Sequence, residues 1–235
     1  MGIVDIFIII LILICGGIGF KRGVFKQAVI TIGTILVFIL SYKFKDPLAN
    51  FFSYNLPFFN FIGDFEGLST INIIMYQMLA FLICFAVLST VLAVLIKITG
   101  IFEKILKFTI ILGIPSKILG FILGLVEGYI VTFIILFVLT QPALKIDVIN
   151  NSKFTNTILN SSPVLSDIVS DTRDSVIEIY ELGKDYVIDR DADKFNRNSI
   201  DIMLKNKIIT KEYVEKLIEK DKINISNVDN ILNKY

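Results

Sequence analysis

The chain has 235 residues, of which 54% are hydrophobic and 19% charged, with a mean hydropathy of +0.74, a balance foreign to a water-soluble domain. The net charge of +1 divides unevenly: nine Lys+Arg face six Asp+Glu up to residue 140, and 14 face 16 beyond it, so neither part has the basic surface that nucleic-acid binding requires. Histidine is absent, which excludes Ser-His and Cys-His nucleophiles and His-based zinc sites, while Cys15 and Cys84 sit in apolar runs unsuited to a thiolate or a disulfide. A non-enzymatic protein with no cofactor, no metal and no nucleic-acid partner is expected.

Apolar length organises the first part of the chain. Residues 3–20 carry only Asp5 as a charge and are just long enough as a helix to cross a hydrocarbon core of about 30 Å. A cleaved signal peptide is not expected, because the early charge is acidic and another apolar run follows almost at once. Lys21, Arg22 and Gly23 interrupt the pattern, and residues 24–44 supply a second span in a tight hairpin with the first. Pro47 and Pro57 then break helix in a segment rich in aromatic residues (Phe51, Phe52, Tyr54, Phe58, Phe59, Phe61, Phe65), which reads as a loop against lipid headgroups or as a packing element. Residues 71–96 form a third span of about 39 Å if fully helical, so it tilts or protrudes. In 101–112, Ile101, Phe102, Ile105 and Leu106 recur opposite Glu103, Lys104 and Lys107, as in a helix lying in the interface, with Pro115 ending it. The fourth span covers 117–140 and closes at Pro142.

The fold class expected is therefore all-α, an integral membrane protein with about four transmembrane helices, an interfacial helix and a helical tail. A membrane domain (1–142) would be followed by a juxtamembrane helical segment (143–186) and a small polar helical extension (187–235). In the juxtamembrane part, Val164, Leu165, Ile168, Val169, Val176 and Tyr180 mark an amphipathic helix that leans on its own bundle or on a partner. The short helices of the extension would make a bundle too small to be stable by itself. Asp189, Asp191 and Asp193 imitate the start of a calcium loop, but Lys194 and Ile200 stand where its glycine and bidentate glutamate belong, so a solvated linker is expected.

Orientation follows from the short loops. Seven basic residues (Lys21, Arg22, Lys26, Lys97, Lys104, Lys107, Lys117) lie on one side, against Lys43 and Lys45 on the other. The positive-inside rule puts the seven in the cytoplasm and the tail outside.

Inside the spans, Gly120, Gly124 and Gly128 line one helix face and let a neighbouring backbone approach. Glu127 beside them lies about 15 Å along the helix from Lys117, near mid-bilayer. A carboxyl there must be paired, hydrogen-bonded or protonated, and either a neutral carboxyl bonded within the bundle or a role in proton or ion movement satisfies that need. Gly19-Phe20-Lys21-Arg22-Gly23 and Gly124-Leu125-Val126-Glu127-Gly128 share a pattern of opposite sign. An Arg22–Glu127 pair suggests itself, yet ordinary spans leave Arg22 at the surface unless the first hairpin dips into the bilayer. The candidate intramembrane polar site thus comprises Glu127, Arg22, Lys21, Gln27 and Asp5, and the helix-packing set Gly120, Gly124, Gly128, Gly19 and Gly23.

With Asp5, the blocks GFKRGVFKQ (19–27) and KILGFILGLVEGY (117–129), and the piece ILNSSPVLSDI (158–168), the chain resembles the colicin V production protein (CvpA) family of bacterial inner-membrane proteins over about residues 1–180. Gln27 stands where many relatives carry Glu, and Glu127 where many carry Arg. The resemblance implies a four-span protein of the bacterial inner membrane linked to toxin production or export and to envelope homeostasis. Some relatives carry an outward-facing serine protease after the last span; this tail is too short for one and has no histidine. Two other classes stay open, a small transporter or channel subunit using Glu127 and an adaptor acting through its tail. The partners are the bilayer and, undecided between them, a second copy of the chain or an envelope protein.

Overall fold

A computed structural model describes residues 2–98, 101–140, 149 and 152–235, the side chains of 101–112 excepted. All regular structure among the described residues is helical: α1 (Ile3–Arg22), α2 (Val24–Asn55), α3 (Ile71–Ile98), α4 (Ile101–Leu139), α5 (Lys153–Ser161), α6 (Leu165–Asp189), α7 (Ala192–Lys205), α8 (Lys211–Glu219) and α9 (Val228–Leu232), with a 3-10 turn at Gly63–Phe65. Four helical stretches are long and apolar enough to cross a membrane: α1, α2, α3 and Gly113–Leu139 of α4.

Local chemistry sets the joints. Gly23 alone separates α1 from α2, at φ +77°, a backbone conformation that side chains resist. Its N–H donates to the Gly19 carbonyl and its own carbonyl accepts from Gln27 N–H, so one residue closes the first helix and opens the second. In α4 the break falls at Gly113 (φ +52°, ψ −128°), earlier than the expected stop at Pro115. Pro115 instead occupies the first turn of the following stretch, where no N–H is required. The amphipathic face expected of 101–112 and the stop expected at Pro142 lie outside the described residues.

The expected break at Pro47 is corrected, because α2 runs through it to Asn55. A proline there forfeits a backbone hydrogen bond. Downstream of it, however, Ala49 and Ser53 are fully buried, and this packing outweighs the local preference.

The chain forms two compact units that cut across sequence order. Of the described residues, unit 1 comprises 2–43, 82–98, 101–140, 149 and 152–166, and unit 2 comprises 44–81 and 167–235. In unit 1 the fully buried rings of Phe38 and Phe133 meet edge-to-face with centroids 5.9 Å apart. Many of its other large apolar side chains, among them Phe7, Leu13, Val87 and Ile122, are exposed, as lipid-facing surfaces must be.

Unit 2 revises the expected roles of the aromatic loop and the tail. Leu68, Ile71 and Ile73 share a core with Ile179 and Tyr186 of α6, Ile200 and Met203 of α7 and Leu217 of α8, while Tyr54, Phe58, Phe61 and Phe65 pack against it. These four rings therefore pack within the protein, while Phe51 and Phe59 stay exposed, and the tail helices gain the apolar area that their own 40 or so residues lack. Polar bonds sew the same parts together. The Tyr186 hydroxyl donates to the Glu66 carbonyl (2.5 Å) and that of Tyr213 to the Ser53 hydroxyl (2.6 Å). Burial pushes the Tyr213 phenol well above its ordinary range, so it stays a donor.

Asn196 makes three such bonds at once. Its carbonyl oxygen accepts from Thr70 N–H (3.1 Å) and the Thr70 hydroxyl (2.9 Å), and its amide donates to the Gly67 carbonyl (2.8 Å). Asn196→Ala is expected to leave a buried N–H unpaired and to cost about 1–3 kcal/mol, read as a lower unfolding temperature of the detergent-solubilised protein.

Candidate functional site

The site begins with the contact between α1 and α4. A methyl group added to Gly19 would overlap the Gly120 carbonyl oxygen and lie 2.8 Å from the Gly124 Cα; one on Gly120 would lie 2.9 Å from the Gly23 Cα; and one on Gly128 would lie 2.9 Å from the Ile12 Cα. The two backbones touch with no side chain between them, and rising numbers in α4 meet falling numbers in α1, so the helices are antiparallel. Gly16, absent from the expected set, belongs to the same face: a methyl there would stand 2.7 Å from a Leu125 methyl carbon.

This register decides how Arg22 reaches Glu127. Gly23 is level with Gly120, so the hairpin ends about 10 Å along α4 from Glu127. Cα–Cβ bonds tilt toward the N-terminus of their own helix. In antiparallel neighbours the Arg22 side chain therefore leans deeper and that of Glu127 leans back toward the hairpin, and they meet with Arg22 Nη1 3.5 Å from Glu127 Oε2.

Gln27, fully buried in the first turns of α2, joins the pair. Its amide nitrogen donates to Glu127 Oε2 and its amide oxygen accepts from Arg22 Nη1 (3.4 Å). Thr31, one turn on, lies 3.4 Å from that nitrogen and donates to the Leu123 carbonyl (3.5 Å). Ser116 of α4 accepts from Val24 N–H (3.2 Å), which satisfies an orphan donor at the start of α2. Thr31 and Ser116 were not among the expected site residues; the four-residue spacing of Gln27 and Thr31 was the available signal for the first. Gln27 and Glu127, from α2 and α4, thus touch each other directly. Arg22 is one-third exposed and Glu127 about one-seventh.

Lys21 and Asp5 lie apart from this cluster. Lys21 is exposed near the hairpin. Asp5 is buried at the start of α1, where one carboxylate oxygen accepts from Gly2 N–H (2.7 Å) and the other from the Ser152 hydroxyl (2.5 Å) and Phe154 N–H (3.4 Å). Ser152 in turn caps α5 by accepting from Thr155 N–H (3.2 Å). One negative charge thus faces two helix N-termini, both of which it favours. At the other end of α5 the Ser162 hydroxyl lies 2.7 Å from that of Tyr129, so the segment after the last span folds back along α1 and α4. Asp5→Ala and Ser152→Ala are each expected to raise protease cleavage at 152–161. A double-mutant cycle is expected to give a coupling of about 1 kcal/mol.

In the tail, the three aspartates serve the fold. Asp191 caps α7 through Lys194 N–H (2.9 Å), Asp189 pairs with Lys194 Nζ (2.8 Å) and Asp193 accepts from Ser226 N–H (2.8 Å) and its hydroxyl. The Lys194 ammonium holds the Asp189 carboxyl below the usual carboxylate range, and the Ser226 donors do the same for Asp193. Among the described residues no group of His, Cys, Asp and Glu is placed to hold a metal ion.

Four helices long and apolar enough to cross a membrane, a glycine-to-glycine contact of α1 with α4 and a charge cluster beside it define a multi-pass all-α membrane protein. A model of the Colicin V production protein family matches residues 4–163, more than half of the chain. The chain belongs to that family. No curated protein and no solved structure matches it.

Proposed function

We propose that the chain is a non-enzymatic scaffold of the bacterial cytoplasmic membrane that supports toxin production or export and envelope homeostasis, with unit 2 outside. The observation that carries the reading is the pairing of Glu127. Its carboxylate meets Arg22 and Gln27 among close-packed glycines, the compensation that a structural charge in hydrocarbon needs. Two findings support the orientation. The α2–α3 loop and the tail share one core, so they lie on one side of the bilayer, with two spans between them. The basic hairpin after α1 and Lys97 in the last turn of α3 belong to the opposite side, the cytoplasmic one by the positive-inside rule.

A transporter or channel subunit using Glu127 is the second reading, favoured by the partial exposure of Arg22 and Glu127. Glu127→Gln separates the two. A scaffold is expected to retain function in a chromosomal deletion strain in proportion to the amount of folded protein, whereas a transporter loses function, and flux in reconstituted vesicles, at full protein level. Deleting 185–235 is a poor test of the tail, because it would uncover Leu68, Ile71 and Ile73. Charge reversals on its exposed Asp and Lys residues test a docking role without that damage.

A further inference from the structure

The geometry points to a binding slot for one acyl chain of an anionic phospholipid between α2 and α3 of unit 1. A groove of about 310 Å³ runs there, lined among others by Ile30, Thr34 and Val37 of α2 and Phe85, Leu92 and Ile96 of α3. Beside it a methyl on Gly33 would lie 2.6 Å from Leu92 Cδ2, and the groove extends along about 10 Å of α2 and about 16 Å of α3. Both lining helices are membrane spans, so the slot opens to hydrocarbon and takes a chain or a helix in preference to water.

Charge at one end selects the occupant. Lys26 lies one turn before Ile30 on the same face of α2, and Lys97 lies one turn after Ala93, which also lines the groove, on α3. Because the helices are antiparallel here, both cations stand at the same end, Lys97 exposed and Lys26 half-buried. An anionic headgroup whose chain entered the groove would meet both. A second copy in the same orientation would bring the like charges of Lys26 and Lys97 to the same level.

The test uses the full-length protein in detergent, with phosphatidylglycerol and phosphatidylethanolamine of identical chains as probes and bound lipid counted by native mass spectrometry. Phosphatidylglycerol is expected to be retained preferentially. Lys26→Gln and Lys97→Gln are each expected to lower that preference about fivefold, the worth of one cation near an anionic lipid. Ala93→Phe or Thr34→Phe fills the groove from opposite sides and should lower retention of both lipids, so if one variant misfolds the other still decides. Equal retention of the two lipids by the unaltered chain overturns the proposal, as does unchanged retention in the folded groove-filling variants. Disulfide-linked dimers formed by Ala93→Cys in a Cys15→Ser, Cys84→Ser background, in phosphatidylglycerol vesicles, overturn it in favour of a second copy.

Discussion

Gly19→Leu is expected to separate α1 from α4 and to remove most folded protein from the membrane. The added side chain has nowhere to go: the Gly120 carbonyl and the Gly124 Cα already occupy its place, and both are backbone atoms of a rigid helix. Overpacking of a core costs about 1–3 kcal/mol even where side chains can shift, and here the opposing atoms cannot. The Arg22–Glu127 contact and the docking of α5 depend on the same register, so they are lost together. Gly17→Leu is the control. It adds the same bulk two residues away, where nothing lies within 4 Å of a new methyl, and is expected to be neutral. Thermal unfolding in detergent, followed by size-exclusion recovery, distinguishes the two. Equal recovery would show that the glycines are not the contact.

The second large effect is expected at the charge cluster. Arg22→Glu sets two carboxylates against each other, Glu127→Arg sets two guanidinium groups, and each single change is expected to destabilise by about 1–3 kcal/mol. That is less than the cost of breaking a fully buried pair, because Arg22 is one-third exposed and water screens it. The double exchange is expected to recover more than half of the loss. Gln27 is what makes recovery feasible: its carboxamide now donates to Glu127 and accepts from Arg22, and a half-turn of the amide serves the exchanged pair equally well. Gln27→Leu should therefore reduce the recovery. A double exchange no better than the worse single change would show that the contact contributes nothing to folding.

These two results concern residues that were legible in the sequence to different degrees. Gly19, Gly120, Gly124 and Gly128 announce themselves by spacing, since a four-residue repeat of glycine in an apolar helix marks a face without side chains. Gly16 carries no such mark in its own spacing and is found only by the neighbour it meets. The Arg22–Glu127 pair was written in the opposite signs of two glycine blocks, yet helix rise alone put the partners at different depths. Side-chain tilt in antiparallel helices closes that gap, and this tilt becomes relevant only once the partner helix and its direction are known. Asp5 was visible as an acidic residue in an apolar run, whereas its bond to Ser152 joins positions 147 residues apart, which no local pattern encodes.

The same division holds for the fold. Apolar length and composition by themselves determined four membrane spans, because crossing hydrocarbon demands about 20 apolar residues wherever the helix later packs. Only the tertiary structure decided that α2 continues through Pro47, that the aromatic loop and the tail make one core, and that α5 folds back along the bundle. Each of these depends on burial supplied by residues far away in the chain. A proline or a run of phenylalanines has one local preference and several tertiary uses, and the available partner surface selects among them.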